Sequence, residues 1–210
     1  MSGRRQEILQ TAMDLADERG LAAVSMRAVA DRVGVTPMAL YPHVGSKAAL
    51  LDGMVGTALA TLLEDAEWRA AAAGDWRVRL RAFARVARRH SAEHPWVVGL
   101  LFSRPAVTPD AVAFVDQLYG ALLDAGVPPS QVPRMERLFS TFVLGFVASE
   151  NGGRFAPGTL DPRDRRGRLP EGALPRHTAL AGWLDLPLDL DEEFEADLAD
   201  LERLVEAAAG

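Results

Sequence analysis

Of the 210 residues none is cysteine, which excludes disulfides, thiolate zinc sites and cysteine nucleophiles and permits a reducing compartment. No apolar run approaches the roughly 18 residues that a membrane span needs. The opening Met1-Ser-Gly-Arg-Arg-Gln-Glu has no apolar segment behind its charges, so neither a secretory signal nor a membrane partner is expected, and a cytoplasmic location is. Excess positive charge is also missing. The net charge of −6 argues against a generic nucleic-acid coat. No stretch alternates like a strand, and no repeat or low-complexity tract is present. What remains is 49% apolar and 25% charged, the composition of a globular chain with one or two small domains. Its charge is uneven. Residues 1–56 hold Arg4, Arg5, Arg19, Arg27, Arg32 and Lys47 against Glu7, Asp14, Asp17, Glu18, Asp31 and Asp52, so the remainder carries the whole deficit.

The most informative stretch runs from Ser25 to Lys47. Ser25 suits an N-cap, because its hydroxyl accepts from free first-turn amides. Val29, Ala30 and Val33 form one apolar stripe. Gly34 stands where a helix must stop. Thr36 is expected to cap the next helix, and Pro37 takes its first position, where no amide donor is needed. Leu40 then faces Ala30. A lone methyl at 30 and no side chain at 34 are expected to let two helices cross closely, the demand of a helix-turn-helix. The second helix turns Thr36, Pro37, Met38, Ala39, Tyr41 and His43 outward, and a helix of this kind fits the major groove of B-DNA.

Around this stretch the pattern is helical throughout. A first helix over 4–19 carries Ile8, Leu9, Ala12, Met13 and Ala16 on one face and stops at Gly20. Arg4 and Arg5 open it and are candidates for the DNA backbone or minor groove. Ser46 caps a helix to about Ala66. Lys47 in its first turn opposes the helix dipole, which makes it a better phosphate ligand than a local stabiliser. Further helices are expected over 75–93, 94–103, 109–125 and 130–151, near 175–184 and from 189 or 191 to 208. The arginines of 75–93 read as a solvated face, and 152–172 as loop.

Leu40-Tyr41-Pro42-His43-Val44-Gly45-Ser46-Lys47-Ala48-Ala49-Leu50-Leu51 resembles the tetracycline-repressor (TetR) family of transcription regulators, and with Gly20–Tyr41 the resemblance covers that family's whole N-terminal domain. It implies an all-α chain. A three-helix helix-turn-helix DNA-binding domain over 1–47 precedes an α-helical ligand-binding and dimerisation domain over 48–210. The expected partners are a double-stranded DNA operator that is palindromic, a small organic inducer and a second copy of the chain in a homodimer. The resemblance assigns phosphate or sugar contacts to Ser25, Tyr41, His43 and Lys47, and base contacts to Arg27, Thr36, Pro37, Met38 and Ala39. More weakly, Phe102-Ser-Arg-Pro105 and Phe142-Val-Leu-Gly-Phe-Val147 are similar to pocket and dimer stretches of the family's tetracycline-binding member. That member's magnesium-chelating histidine falls at Leu100 here and its neighbouring glutamate at about Ser149. Neither can serve a magnesium chelate, so an inducer without metal and no cofactor are expected.

Arg27 can fork to guanine O6 and N7, or contact phosphate or pair with Asp31 one turn on. The spacing leaves these open. His90 and His94 have i, i+4 metal spacing but lack a third ligand and the His-Glu-x-x-His order, so no metal site is assigned. No nucleophile–base or carboxylate pair stands out, so the chain does not read as an enzyme. Candidate cavity residues are Trp96, Leu100, Phe102, Phe114, Phe139, Phe142 and Phe146, with His90, His94, Arg104 and Glu150 as polar anchors. The dimer seam is assigned to Leu138, Phe142 and Gly145 with Phe194, Leu198, Leu201 and Val205, read as burying little within one chain. A ligand-responsive dimeric repressor results. The alternative is a helical small-molecule binding protein without sequence-specific DNA binding, which the acidic balance and polar-poor reading helix favour.

Overall fold

The computed structural model describes residues 3–155, 167 and 172–210. Among them every regular element is helical. Helix α1 (Gly3–Arg19) buries Ile8, Leu9, Ala12, Met13, Leu15 and Ala16. A short 3-10 turn, Leu21–Ala23, leads to α2 (Met26–Val33) and α3 (Pro37–Val44). Ser25 caps α2 as expected, its hydroxyl accepting from Ala28 N at 3.1 Å. Ser46 caps α4 (Lys47–Glu64) in the same way through Ala49 N, at 3.1 Å. These helices close around Val24, Val29, Ala30, Leu40, Val44, Leu50 and Met54, all buried.

Helix α4 ends at Glu64, within two residues of the expected bound near Ala66. The chain breaks at Asp65, whose carboxylate accepts from Glu67 N at 2.8 Å and caps a further short helix, α5 (Ala66–Ala71). A side chain that competes for first-turn amides ends one helix and begins another. Helices α6 (Trp76–Glu93), α7 (Trp96–Ser103), α8 (Pro109–Asp124) and α9 (Val132–Asn151) follow close to their expected bounds. Two short helices, α10 (Pro175–Ala179) and α11 (Ala181–Leu184), take the place of the single one expected there, and α12 (Leu190–Ala209) starts from the cap of Asp189. The expected loop lies largely in 156–166 and 168–171, outside the described residues.

Two expectations are corrected by the packing around α6. Its arginines do not form a solvated face. Arg81 meets Glu202 at 2.5 Å and Glu195 at 2.9 Å, Arg85 meets Glu195 at 2.6 Å, and Arg88 meets Glu150 at 2.6 Å. The row rivets α6 to α9 and α12. Phe194, Leu198, Leu201 and Val205 are consequently buried inside the single chain, with the Phe194 ring tilted against that of Phe146 at 4.8 Å between centroids. Burial of each such side chain is worth roughly 1.5–3 kcal/mol. They stabilise the subunit itself and are not free to form a seam.

Candidate nucleic-acid interface and ligand cavity

The turn between α2 and α3 forms through backbone geometry. Gly34 adopts φ +79°, ψ +33°, a left-handed conformation that favours glycine, and Val35 N donates to Ala30 O at 3.0 Å. A Cβ at Gly34 would meet no atom within 4 Å. The close crossing therefore owes nothing to the missing side chain. Ala30 and Leu40 are both fully buried in the shared core, and the glycine serves the dihedral alone. Thr36 occupies the N-cap position of α3, but its side chain makes no cap hydrogen bond, another departure from expectation.

This turn leaves Thr36, Pro37, Met38, Ala39 and Tyr41 exposed, with His43 half-buried. Met38 is 74% exposed, a large apolar group in water without an intrachain role. Arg27 stands beside this surface with its side chain 86% exposed and its Nε 3.9 Å from Asp31, so the pair at i+4 is loose. Lys47, the only lysine in the sequence, is exposed in the first turn of α4. Three other candidates are already engaged. Arg4 pairs with Glu7 at 2.8 Å, Arg5 donates to His43 O at 2.9 Å and so ties α1 to the end of α3, and Ser25 is occupied as a cap.

Further along, α4, α6, α8 and α9 enclose a cavity of about 540 Å³. Its walls are chiefly apolar: Leu59, Leu62, Phe83, Phe114, Leu118 and Val143. The polar groups on it include His90, His94, Arg104 and Ser140. His90 Nε2 lies 3.2 Å from Asp65 Oδ2, and His94 Nδ1 lies 2.8 Å from Asp17 Oδ1. Arg104 donates through Nε to Asp52 Oδ1 at 2.7 Å and through Nη2 to Ala48 O at 2.9 Å. The guanidinium of Arg89, with the Glu67 amide and His90 also donating, holds the Asp65 carboxyl down at about 2.

Four of the proposed cavity residues, His90, His94, Arg104 and Phe114, line it. The others do not. Trp96 and Leu100 are buried beside it, and Trp96 Nε1 donates to Asp17. Phe139 packs behind Phe83 at 5.9 Å, Phe142 and Phe146 join Phe194, and Glu150 is held by Arg88. Phe102 points to solvent, 55% exposed. Lengthwise apolarity cannot separate residues in front of a wall from those behind it. Asp17 and Asp52 were not singled out, because their partners lie far off in sequence. Gly53 and Gly56 did offer a signal. Two glycines three apart in an apolar helix mark close approach, and a Cβ at 53 would lie 2.6 Å from Leu9 Cδ2 while one at 56 would overlap Thr108 Oγ1. Among the described residues no cluster of three or more metal-ligating side chains occurs, and no single helix is long and apolar enough to cross a membrane.

Residues 8–54 match the family model of bacterial regulatory proteins of the tetR family, and residues 70–201 match that of the tetracyclin repressor-like C-terminal domain. An HTH-type transcriptional regulator of Saccharopolyspora erythraea is 31% identical over 147 residues, 70% of this chain and 61% of that protein. The HTH-type transcriptional repressor DrrR1 of Streptomyces coeruleorubidus is 28% identical over 143 residues, 68% of this chain and 52% of its own length. The chain thus matches only between half and two thirds of the length of these relatives. Coverage is fuller among solved structures. Apo ActR of Streptomyces coelicolor superposes with a TM-score of 0.82 at 26% identity, covering 98% of this chain and 96% of that one. ActR in complex with actinorhodin gives 0.81 at 25% identity, with 98% of each chain covered.

Proposed function

The chain belongs to the TetR family of bacterial regulatory proteins, and on that premise we propose that it is a transcriptional repressor, not an enzyme. It binds a palindromic operator as a homodimer and releases it when a small organic molecule fills the cavity. The reading head is 1–47 and the ligand-binding body 48–210. Arg27, Thr36, Pro37, Met38 and Ala39 read bases, the apolar members against thymine methyls. Tyr41, His43 and Lys47 hold the backbone, with Arg4, Arg5 and Ser25 at its margin.

The observation that carries this reading is the placement of α4. Lys47 opens it beside the exposed face of α3, while Ala58, Leu59, Thr61 and Leu62 line the cavity. One continuous helix thus has its start at the DNA face and its far half in the ligand wall. For the dimer, the outward side of α9 supports contact through Leu138, Phe142 and Gly145. Leu138 is exposed and a Cβ at Gly145 would meet open space.

Selection of bound sequences from random duplex DNA tests the proposal. The expected product is an inverted repeat whose half-sites lie about one helical turn, roughly 34–36 Å, apart. Arg27→Ala should then lose about 1–3 kcal/mol of discrimination at one position of each half-site. Failure to enrich any sequence, with small-molecule binding intact, would instead establish the binding protein without sequence-specific DNA recognition.

A further inference from the structure

We propose that the cavity selects an aromatic molecule bearing hydroxyl groups, which it binds through two aspartate-oriented histidines. This rests on the cavity being the ligand site, as above. The walls supply the aromatic preference. Phe83 and Phe114 lie on the lining with ring centroids 4.2 Å apart, beside Leu59, Leu118 and Val143, a surface that suits a flat apolar body.

The hydroxyl preference comes from the two imidazoles that interrupt those walls. An ionised carboxylate has no proton to give and only accepts. The nitrogen facing it must therefore carry the proton, which means Nε2 in His90, opposite Asp65, and Nδ1 in His94, opposite Asp17. In the neutral ring this fixes the tautomer. Nδ1 of His90 and Nε2 of His94 remain as acceptors, and neither has a hydrogen-bond partner within the described protein. Both rings are mostly shielded, with side chains 19% and 33% exposed. A ligand hydroxyl donates into such a nitrogen. An ether oxygen in the same place brings no proton and leaves the acceptor unsatisfied, which is costly in an apolar enclosure. His90 closes the last turn of α6 and His94 caps it, so the two imidazoles stand one helical turn apart in sequence on the same cavity lining.

Three probes test this on the purified full-length protein by fluorescence titration: 2,7-dihydroxynaphthalene, its dimethyl ether, and 2-naphthoate. The diol is expected to bind about tenfold more tightly than the diether. His90→Phe and His94→Phe should each shrink that preference several-fold, with a circular dichroism spectrum matching wild type to report an intact fold, and a preference unchanged in both variants would overturn the assignment to the histidines. Equal affinity for diol and diether would overturn the proposal and leave the ligand-cavity reading standing, as would naphthoate binding more tightly than both. Failure of all three probes to bind the wild-type protein would remove the cavity reading and this inference with it.

Discussion

Replacing Gly34 separates two reasons for a glycine in the turn between α2 and α3. The residue sits at φ +79° with open space where a Cβ would stand. Alanine there meets no steric contact and incurs only the backbone cost of the left-handed region, about 1–2 kcal/mol. Part is offset because alanine restricts the unfolded chain by about 0.4–1 kcal/mol. The expected net destabilisation is about 1 kcal/mol, a fall of about 2–4 °C in Tm for a chain of this size. Asparagine is larger but tolerates the left-handed conformation through local hydrogen bonds, so Gly34→Asn should cost less than Gly34→Ala. Urea-unfolding midpoints of the three proteins, followed by far-ultraviolet circular dichroism, give the order directly. An asparagine variant less stable than the alanine variant would refute the reasoning, because atoms added at 34 would then be colliding with something. Operator affinity should follow the same order, since this turn sets the angle at which α3 is presented.

Lys47→Ala should weaken binding almost equally for operator and scrambled duplex and reduce the salt slope of log K by about 1; an effect confined to the operator would make Lys47 a base reader. Asp65 is held at about 2, below its ordinary 3.8, so its ionised form stabilises the fold above about pH 4 and that contribution is lost as the pH falls from about 4 toward 2. Asp65→Asn should therefore be less stable than wild type at neutral pH and flatten the acid limb by roughly 1–2 kcal/mol, and parallel limbs in the two proteins would contradict the assignment. Glu202 takes both Nε and Nη2 of Arg81 where both side chains are largely covered. Glu202→Gln should cost about 1–2 kcal/mol in chemical unfolding, and no change would reduce the arginine row to surface pairs.

The helices were legible because local signals agree along the chain: Ser25, Ser46 and Asp189 as caps, Pro37 and Pro109 at first turns, apolar stripes between. Asp65 was the exception, since an aspartate after a long apolar helix reads equally as its exposed end and as the cap of a new one. The head was easier than the body for the same reason. Its exposed surface follows from eight consecutive residues on one short helix, whereas the cavity is assembled from helices distant in sequence. An apolar periodicity shows that Phe139 and Phe114 are both inside, but only the relative rotation of α8 and α9 puts Phe114 on the cavity and Phe139 behind Phe83. The stripe of Phe194, Leu198, Leu201 and Val205 failed differently. Periodicity identified a buried face correctly, and nothing in it says whether the covering surface belongs to the same chain. The answer lay in α6, where each arginine finds a carboxylate of α5 or its cap, α8, α9 or α12.

In the proposed mechanism the cavity must reach the DNA face without unfolding anything, and the links around α4 are of the right size. The helix is wedged, with Gly53 against Leu9 of α1 and Gly56 against Thr108 before α8. Displacement of its cavity-lining half must therefore carry the Lys47 end along as a body. Two polar links hold the resting arrangement: Arg104 on Asp52 and Ala48 O, and Asp17 receiving His94 and Trp96. Each donor residue sits on the cavity or directly behind it, and each acceptor sits on α1 or the first turns of α4. A hundredfold loss of operator affinity corresponds to about 2.7 kcal/mol. Charged, partly buried hydrogen bonds contribute roughly 1.5–3 kcal/mol each. A ligand that displaces Arg104 from Asp52 and Ala48 O thus reaches the required scale by disturbing one or two bonds, while the core of Ile8, Val29, Leu40 and Met54 stays packed. Rigid elements joined by a few breakable polar contacts make a two-state device, because close-packed interiors do not deform by degrees.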